Sequence, residues 1–249
     1  MVLNPTSATY DSLLLAYKFM TEHLFGNALP ACLITLQRET HTFGYFCSKR
    51  FTNDKNVKQS ADEIALNPQY FRISGRDDRT VVSTLVHEMC HLWQHHFGKP
   101  GRARYHNKEW ANKMRSLGLV PSNTGEQGGK DTGDQMSHFI NNAGSFAKIF
   151  DKLKSKGFAL EWIEYPPTIQ QALAAGKMDL SEITAALIGG KSMPRKVDKS
   201  KVKYTCPECG LNAWAKIGAN LICGDCDEGM ITKRLNKTNT KRIICLLSG

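Results

Sequence analysis

Five consecutive residues, His87-Glu88-Met89-Cys90-His91, set two imidazoles four positions apart with a carboxylate beside the first. On a helix, residues four apart share one face. Two imidazoles so placed can grip one Zn²⁺, and Glu88 is placed to take a proton from a water that the metal acidifies. That is the chemistry of a zinc hydrolase. The flanking residues Val81, Val82, Leu85, Val86, Met89 and Trp93 make the helix read as buried. Ionisable groups on a buried helix require a partner or a metal.

A catalytic zinc site normally uses three protein ligands and keeps one position open. The candidates for the third are His95, His96, His106, His138 and Glu109. A metzincin pattern would demand Gly at 94 and His at 97, where this chain has Gln94 and Phe97. His95 lies one helical turn past His91, roughly 6 Å along the axis, too far to close a compact site with both. His95 and His96 therefore read as surface or packing histidines. His106 follows the break at Gly98, Pro100 and Gly101, where the chain can turn back, so it ranks first and Glu109 second.

A second constellation lies near the C-terminus. Cys206-Pro207-Glu208-Cys209 and Cys223-Gly224-Asp225-Cys226 are two Cys-x-x-Cys knuckles at a spacing that suits one tetrahedral Zn²⁺. A redox reading would need a single such pair in a βαβ context, which is absent. So small a module needs its metal to fold, which makes this zinc structural. Gly210 and Gly224 suit the knuckle turns. Trp214, Lys216, Lys233, Arg234, Lys237, Lys241 and Arg242 set an aromatic among cations. That mixture suits stacking on unpaired bases and contact with phosphates. The alternative is that Trp214 packs inside the ribbon and the lysines are a solvated face.

The elements that must position these residues can be sketched from periodicity and breakers. A first helix is expected over residues 7–25, capped by Ser7 or Thr9 and ended by Gly26. Strands are expected over 31–38, 43–51 and 62–71, the third interrupted at Asn67-Pro68, where the proline suggests an edge strand or the strand's end. The motif helix spans 80–97 and a further helix 107–117. Residues 121–133 form a Gly-rich polar loop, 139–150 resist assignment, and 158–163 read as a strand. Two short helical patches follow Pro166-Pro167, with Ser181 capping the second and Gly189-Gly190 ending it. The expected domains are 1–165 for the hydrolase, 166–202 as connector, and 203–249 for the ribbon and basic tail.

The net charge is +10, and residues 191–249 hold +7 of it, from 12 Lys or Arg against five Asp or Glu. A basic region of this kind suggests a polyanionic partner. Cys32, Cys47 and Cys90 read as free buried cysteines. No apolar run approaches the roughly 20 residues of a membrane span, and no signal peptide opens the chain. The expectation is a cytoplasmic protein, nucleoid-associated if bacterial, with no membrane partner.

The residues 66–71 (Leu-Asn-Pro-Gln-Tyr-Phe), His87 to His91, and His106-Asn107-Lys108-Glu109-Trp110 together resemble the SprT-like metalloprotease domain, the family that includes Spartan. The resemblance covers roughly residues 8–120 and continues into the Cys-rich tail, since bacterial and phage members often carry a zinc ribbon. Spartan-type members flank the third His with glycines; here Tyr105 and Asn107 flank His106. The resemblance implies an α+β, zincin-like metalloprotease domain with a small Cys₄ ribbon. His87, His91 and His106 would hold a catalytic Zn²⁺ and Glu88 would be general base. It also implies cleavage of proteins bound or crosslinked to DNA, with DNA, single-stranded or carrying unpaired regions, as partner. An edge strand near 64–66 would take substrate as an added strand. The runner-up is a nucleic-acid-binding adaptor with an inactive zincin-like domain. Hydrolysis of a non-peptide bond is a third reading.

Overall fold

The computed structural model describes residues 4–102, 105–177, 182, 201–216 and 218–232. The chain divides into two units, Met1–Met193 and Pro194–Gly249. The first mixes helices and strands, and among its described residues the second holds two strands, so the protein is α+β.

The first unit opens with α1, Pro5–Phe25. Its cap is Asn4 rather than Ser7 or Thr9: Asn4 accepts from the amides of Thr6 and Ser7, and Pro5 occupies the first turn, where no amide donor is needed. Gly26, in the left-handed conformation, ends it. Three strands follow: β1 (Leu33–Leu36), β2 (Gly44–Asn53) and β3 (Asn56–Leu66). They form one sheet in the order β1-β3-β2, with β3 parallel to β1 and antiparallel to β2.

The expected third strand therefore exists but is central, not an edge. Residues 62–66 are all buried, as a strand covered on both faces must be. Ile64 is paired with Ile34 on one side and Phe46 on the other, so no added strand can dock there. The ladder ends before Pro68, which begins a short 3₁₀ turn, Pro68–Tyr70. Asn67 caps that turn and donates from its amide to the carbonyls of Glu39 and Thr42.

The motif helix α2 spans Asp78–Phe97. A reciprocal capping box fixes its start, Asp77 accepting from the Thr80 amide while Thr80 Oγ1 accepts from the Asp77 amide. Then come α3 (Lys108–Ser116), β4 (Leu119–Ser122), β5 (Ser137–Ile140) and α4 (Ser145–Ser155). The unassigned stretch 139–150 thus contains a strand end, a turn and a helix. Its Gly144 is required by close approach: a Cβ there would lie 2.7 Å from the Gly118 Cα. Residues 158–163 form no strand. Phe158 and Leu160 are simply buried in the core without a ladder. The first expected helical patch of the connector is α5, Pro167–Ala174; Ser181 and Gly189-Gly190 lie outside the described residues.

One core joins α1, the sheet, α2, α3 and α4 around Leu13, Met20, Leu66, Leu85, Met89, Trp110 and Phe146. Cys90 is buried in it, whereas Cys32 and Cys47 are only half-buried. Among the described residues, no helix is long and apolar enough to cross a membrane.

The second unit contains the hairpin β6 (Val202–Thr205) and β7 (Asn212–Ala215), antiparallel.

Candidate metal centres

α2 presents His87, Glu88 and His91 from its buried face, where Val86, Met89 and Cys90 anchor it in the core. His106 arrives from the segment entering α3. One donor atom from each of His87, His91 and His106 lies within 4.8 Å of the other two. Trp110, fully buried one turn into α3, packs against all three rings; it stacks on His91 at a centroid distance of 5.3 Å and meets His106 edge-on at 4.4 Å.

Two features hold His106 in place. Its backbone pairs with Gly133, the His106 amide donating to the Gly133 carbonyl at 2.8 Å and the Gly133 amide returning a bond at 3.2 Å. Its Nδ1 is 3.0 Å from the same carbonyl, which accepts the ring proton and makes Nε2 the ligand nitrogen. The Gly-rich stretch 121–133 therefore serves the site. Asn107, in place of the family's glycine, caps α3 by accepting from the Trp110 amide.

Glu109, ranked second as a ligand, has another role. Its Oε2 accepts from Gln94 Nε2 and from the Lys99 amide, both at 2.7 Å. Gln94 also donates to Asn107 Oδ1 at 2.8 Å. This knot ties the last turn of α2 to the first of α3. Gly98 allows it, since a Cβ there would lie 2.6 Å from the Glu109 Oε2.

His138, also a ligand candidate, stands behind the cluster. It lies on β5, opposite Pro121 of β4. Its Nδ1 is 3.2 Å from His87 Nδ1 and its Nε2 is 2.9 Å from Ser83 Oγ. With Nδ1 of His87 committed there, Nε2 is the nitrogen that a metal would use.

Burial keeps these imidazoles neutral. It pushes His87 well below the ordinary histidine value, with the neighbouring His91, His138 and His106 adding to the effect. His91 and His138 are pushed down to about 3, again by burial first. Burial alone raises Glu88 to about 8. Neutral imidazoles are what a divalent cation needs, and a buried carboxyl near pH 8 is poised to exchange protons. The residues present fit Zn²⁺. His87 and Glu88 open on a cleft of about 310 Å³ that is also lined by Phe43, Gly44, Arg76 and His138. The Arg76 guanidinium lies over the Phe43 ring at 4.1 Å and is held by neutral acceptors, the Thr80 carbonyl and Thr84 Oγ1. Burial lowers it to about 10. Its place at the site was not foreseen, because nothing in the local sequence marks it.

In the second unit, donor atoms of Cys206, Cys209, Cys223 and Cys226 all lie within 4.8 Å of one another. The knuckles repeat one design: the residue four after the first Cys donates its amide back to that Cys carbonyl, Gly210 to Cys206 at 3.0 Å and Asp227 to Cys223 at 2.9 Å. Both have positive φ, +74° and +54°. The left-handed residue of the second knuckle is thus Asp227, not Gly224. Amides of Cys209 and Glu208 lower the Cys206 thiol to about 7, the direction a metal-binding thiolate requires.

Trp214 does not pack inside the ribbon. It is 59% exposed on β7, directly opposite Lys203, while Val202 and Tyr204 fill the other face. Lys216 is also exposed. Lys203 was missed in the sequence, although strand alternation puts it beside Trp214. Lys233, Arg234, Lys237, Lys241 and Arg242 lie outside the described residues.

Fold and side-chain clusters define a mixed α+β protein with two groups of residues compatible with zinc, one of three imidazoles and one of four thiols. The SprT-like family matches residues 15–127. An uncharacterized protein in the mucB 3′ region of Salmonella typhimurium is 53% identical over 60 residues, which are 24% of this chain and 80% of that protein. No solved structure matches. The chain belongs to the SprT-like family, which gives it a metalloprotease-type domain.

Proposed function

We propose that the first unit is a zincin-like, zinc-dependent endopeptidase acting on proteins bound or crosslinked to DNA, and that the ribbon binds DNA. The observation that carries the peptidase reading is the convergence of His87, His91 and His106 beside the buried carboxyl of Glu88, at the wall of a cleft. Zn²⁺ held by the three imidazoles would supply Lewis acidity, polarising a substrate carbonyl and lowering the pKa of water. Glu88 takes the proton of the attacking water and returns it to the leaving amine. The buried walls, with Trp110 behind the ligands, exclude competing solvent. Gly44 both lines the cleft and begins β2, an edge of the three-stranded sheet. An extended peptide paired with that edge would cross the cleft beside Glu88.

Support for the DNA-linked half is the exposed pair Trp214 and Lys203, with Lys216 nearby. A base can stack on the indole while the ammonium groups meet phosphates. The four ribbon cysteines would hold a second, structural Zn²⁺. The expected setting is the cytoplasm, in DNA repair.

The test is cleavage of a protein bound to single-stranded DNA by the full-length, zinc-loaded protein, compared with casein and with chelated enzyme. Metal-dependent cleavage, faster when DNA is present, is expected. No cleavage of either substrate contradicts the peptidase reading, and cleavage indifferent to DNA removes its DNA-linked half.

A further inference from the structure

A third group of donors lies outside the cleft. Asp62 of β3 sits with its side chain 8% exposed, and His95 and His96 occupy the last turn of α2. One donor atom from each lies within 4.8 Å of the other two. Consecutive helical side chains normally diverge by about 100°. Here the two rings converge, with centroids 4.9 Å apart and planes at 86°. His96 Nε2 is 2.7 Å from Asp62 Oδ2. His95 rests against Phe46 of β2 at 5.8 Å.

The carboxylate is pre-oriented. Its other oxygen, Oδ1, accepts from the Lys49 amide at 2.7 Å. Lys49 reaches it from an irregularity in β2, where the register with β3 shifts between Cys47 and Phe51, and its φ is +50°. A non-glycine residue in that conformation is strained, and the bond to Asp62 compensates. Burial favours the neutral carboxyl, but the Lys49 amide and His96 outweigh it, so the Asp62 value falls below the ordinary one. An ionised carboxylate with one oxygen fixed and the other facing two imidazoles has the order of a ligand held by its outer shell. A simple Asp62–His96 ion pair would not require His95 to converge as well.

We infer that Asp62, His95 and His96 form a third metal site, taking a borderline divalent cation, Zn²⁺ foremost, with water completing its shell. Two imidazoles and one carboxylate suit such ions. The site is more open than the imidazole cluster, because His96 is exposed, and it offers fewer protein ligands than the four thiols of the ribbon, so it binds more weakly than either. Occupancy joins the end of α2 to the centre of the sheet. His95 lies one turn beyond His91, so the cation would brace the helix that carries the imidazole cluster.

The experiment is zinc titration of the full-length, metal-stripped protein, with bound zinc read by mass spectrometry and melting temperature read in parallel. The native chain should bind three equivalents, the third most weakly, with a rise in melting temperature as it binds. His95→Gln spares the Asp62–His96 pair and should bind two, losing that last rise. His96→Gln should do the same. Saturation of the native chain at two equivalents overturns the inference. So does a third equivalent that persists in both variants, which would place it elsewhere.

Discussion

His138 Nδ1 faces His87 Nδ1 at 3.2 Å, across 51 residues of sequence. For His87 to bind metal through Nε2, its Nδ1 must carry the proton and donate to His138. His138 then donates from Nε2 to Ser83 Oγ, and Ser83 donates to the Thr80 carbonyl at 2.8 Å. Every polar atom in this relay is satisfied with both rings neutral. Removing such an outer partner typically costs 10–100-fold in metal affinity. His138→Ala should therefore weaken zinc binding at the imidazole cluster by roughly that factor, while the ribbon zinc is unaffected. Competition with a chelator measures this; an unchanged affinity would remove His138 from the site.

His106 and Glu109 separate ligand from support. His106→Ala removes one of three imidazoles and should empty the cluster of zinc with little loss of fold. Glu109→Ala leaves the ligands but removes the acceptor of the Lys99 amide and one of the acceptors of the Gln94 side chain. Loss of a charged acceptor from this half-buried knot costs on the order of 1–3 kcal/mol. Metal content and urea unfolding distinguish them: the account expects the first to fall in His106→Ala and the second in Glu109→Ala.

Much of the imidazole centre was legible because helix period alone brings His87, Glu88 and His91 to one face. The break at Gly98–Gly101 pointed to His106 for the same local reason. The four cysteines were legible from spacing. His138 was named as a ligand candidate, but its place behind His87 was not legible, since that contact depends on β5 pairing with β4, and Asn141, Asn142 and Gly144 obscured the strand's end and the helix after it. β3 was misplaced at an edge because of Asn67-Pro68, but that proline only follows the strand's end at Leu66, and Asp62 and Glu63 within it are both buried. Asp62 is explained by Lys49 and His96. His95 and His96 read as surface or packing histidines, and His96 is indeed exposed while His95 rests against Phe46; one-dimensional spacing could not show Asp62 arriving beside them from another strand.

The metal-free protein should show two opposed pH limbs. His91 and His138 titrate near 3 when folded against 6.5 ordinarily, so the unfolded chain binds more protons below 6.5. Their contribution is fully present above 6.5 and lost as pH falls towards 3. Glu88 runs the other way, about 8 when folded against 4.5. Its contribution is present below 4.5 and lost as pH rises to about 8, at up to about 1.4 kcal/mol per pH unit. Urea unfolding of chelated protein from pH 4 to 8.5 measures both limbs. Glu88→Gln should flatten the upper limb and spare the acid one; an unchanged upper limb would contradict the Glu88 assignment.

The ribbon face predicts a divided effect on DNA. Trp214→Ala should cost about 1–3 kcal/mol in binding single strands and less with duplex. Lys203→Ala should lower affinity for any sequence and reduce the salt slope by about 1. Fluorescence anisotropy over a salt series reads both. Equal binding by the native chain and a chain ending at residue 202 would show that the ribbon is not the DNA anchor.

The most direct measurement compares zinc content and proteolysis in Glu88→Gln. The carboxylate moves the proton but does not hold the metal, so the variant should keep the native zinc complement and lose cleavage by several orders of magnitude. Native-like cleavage by the zinc-loaded variant would contradict the account, and loss of zinc with loss of activity would make Glu88 a ligand rather than the base.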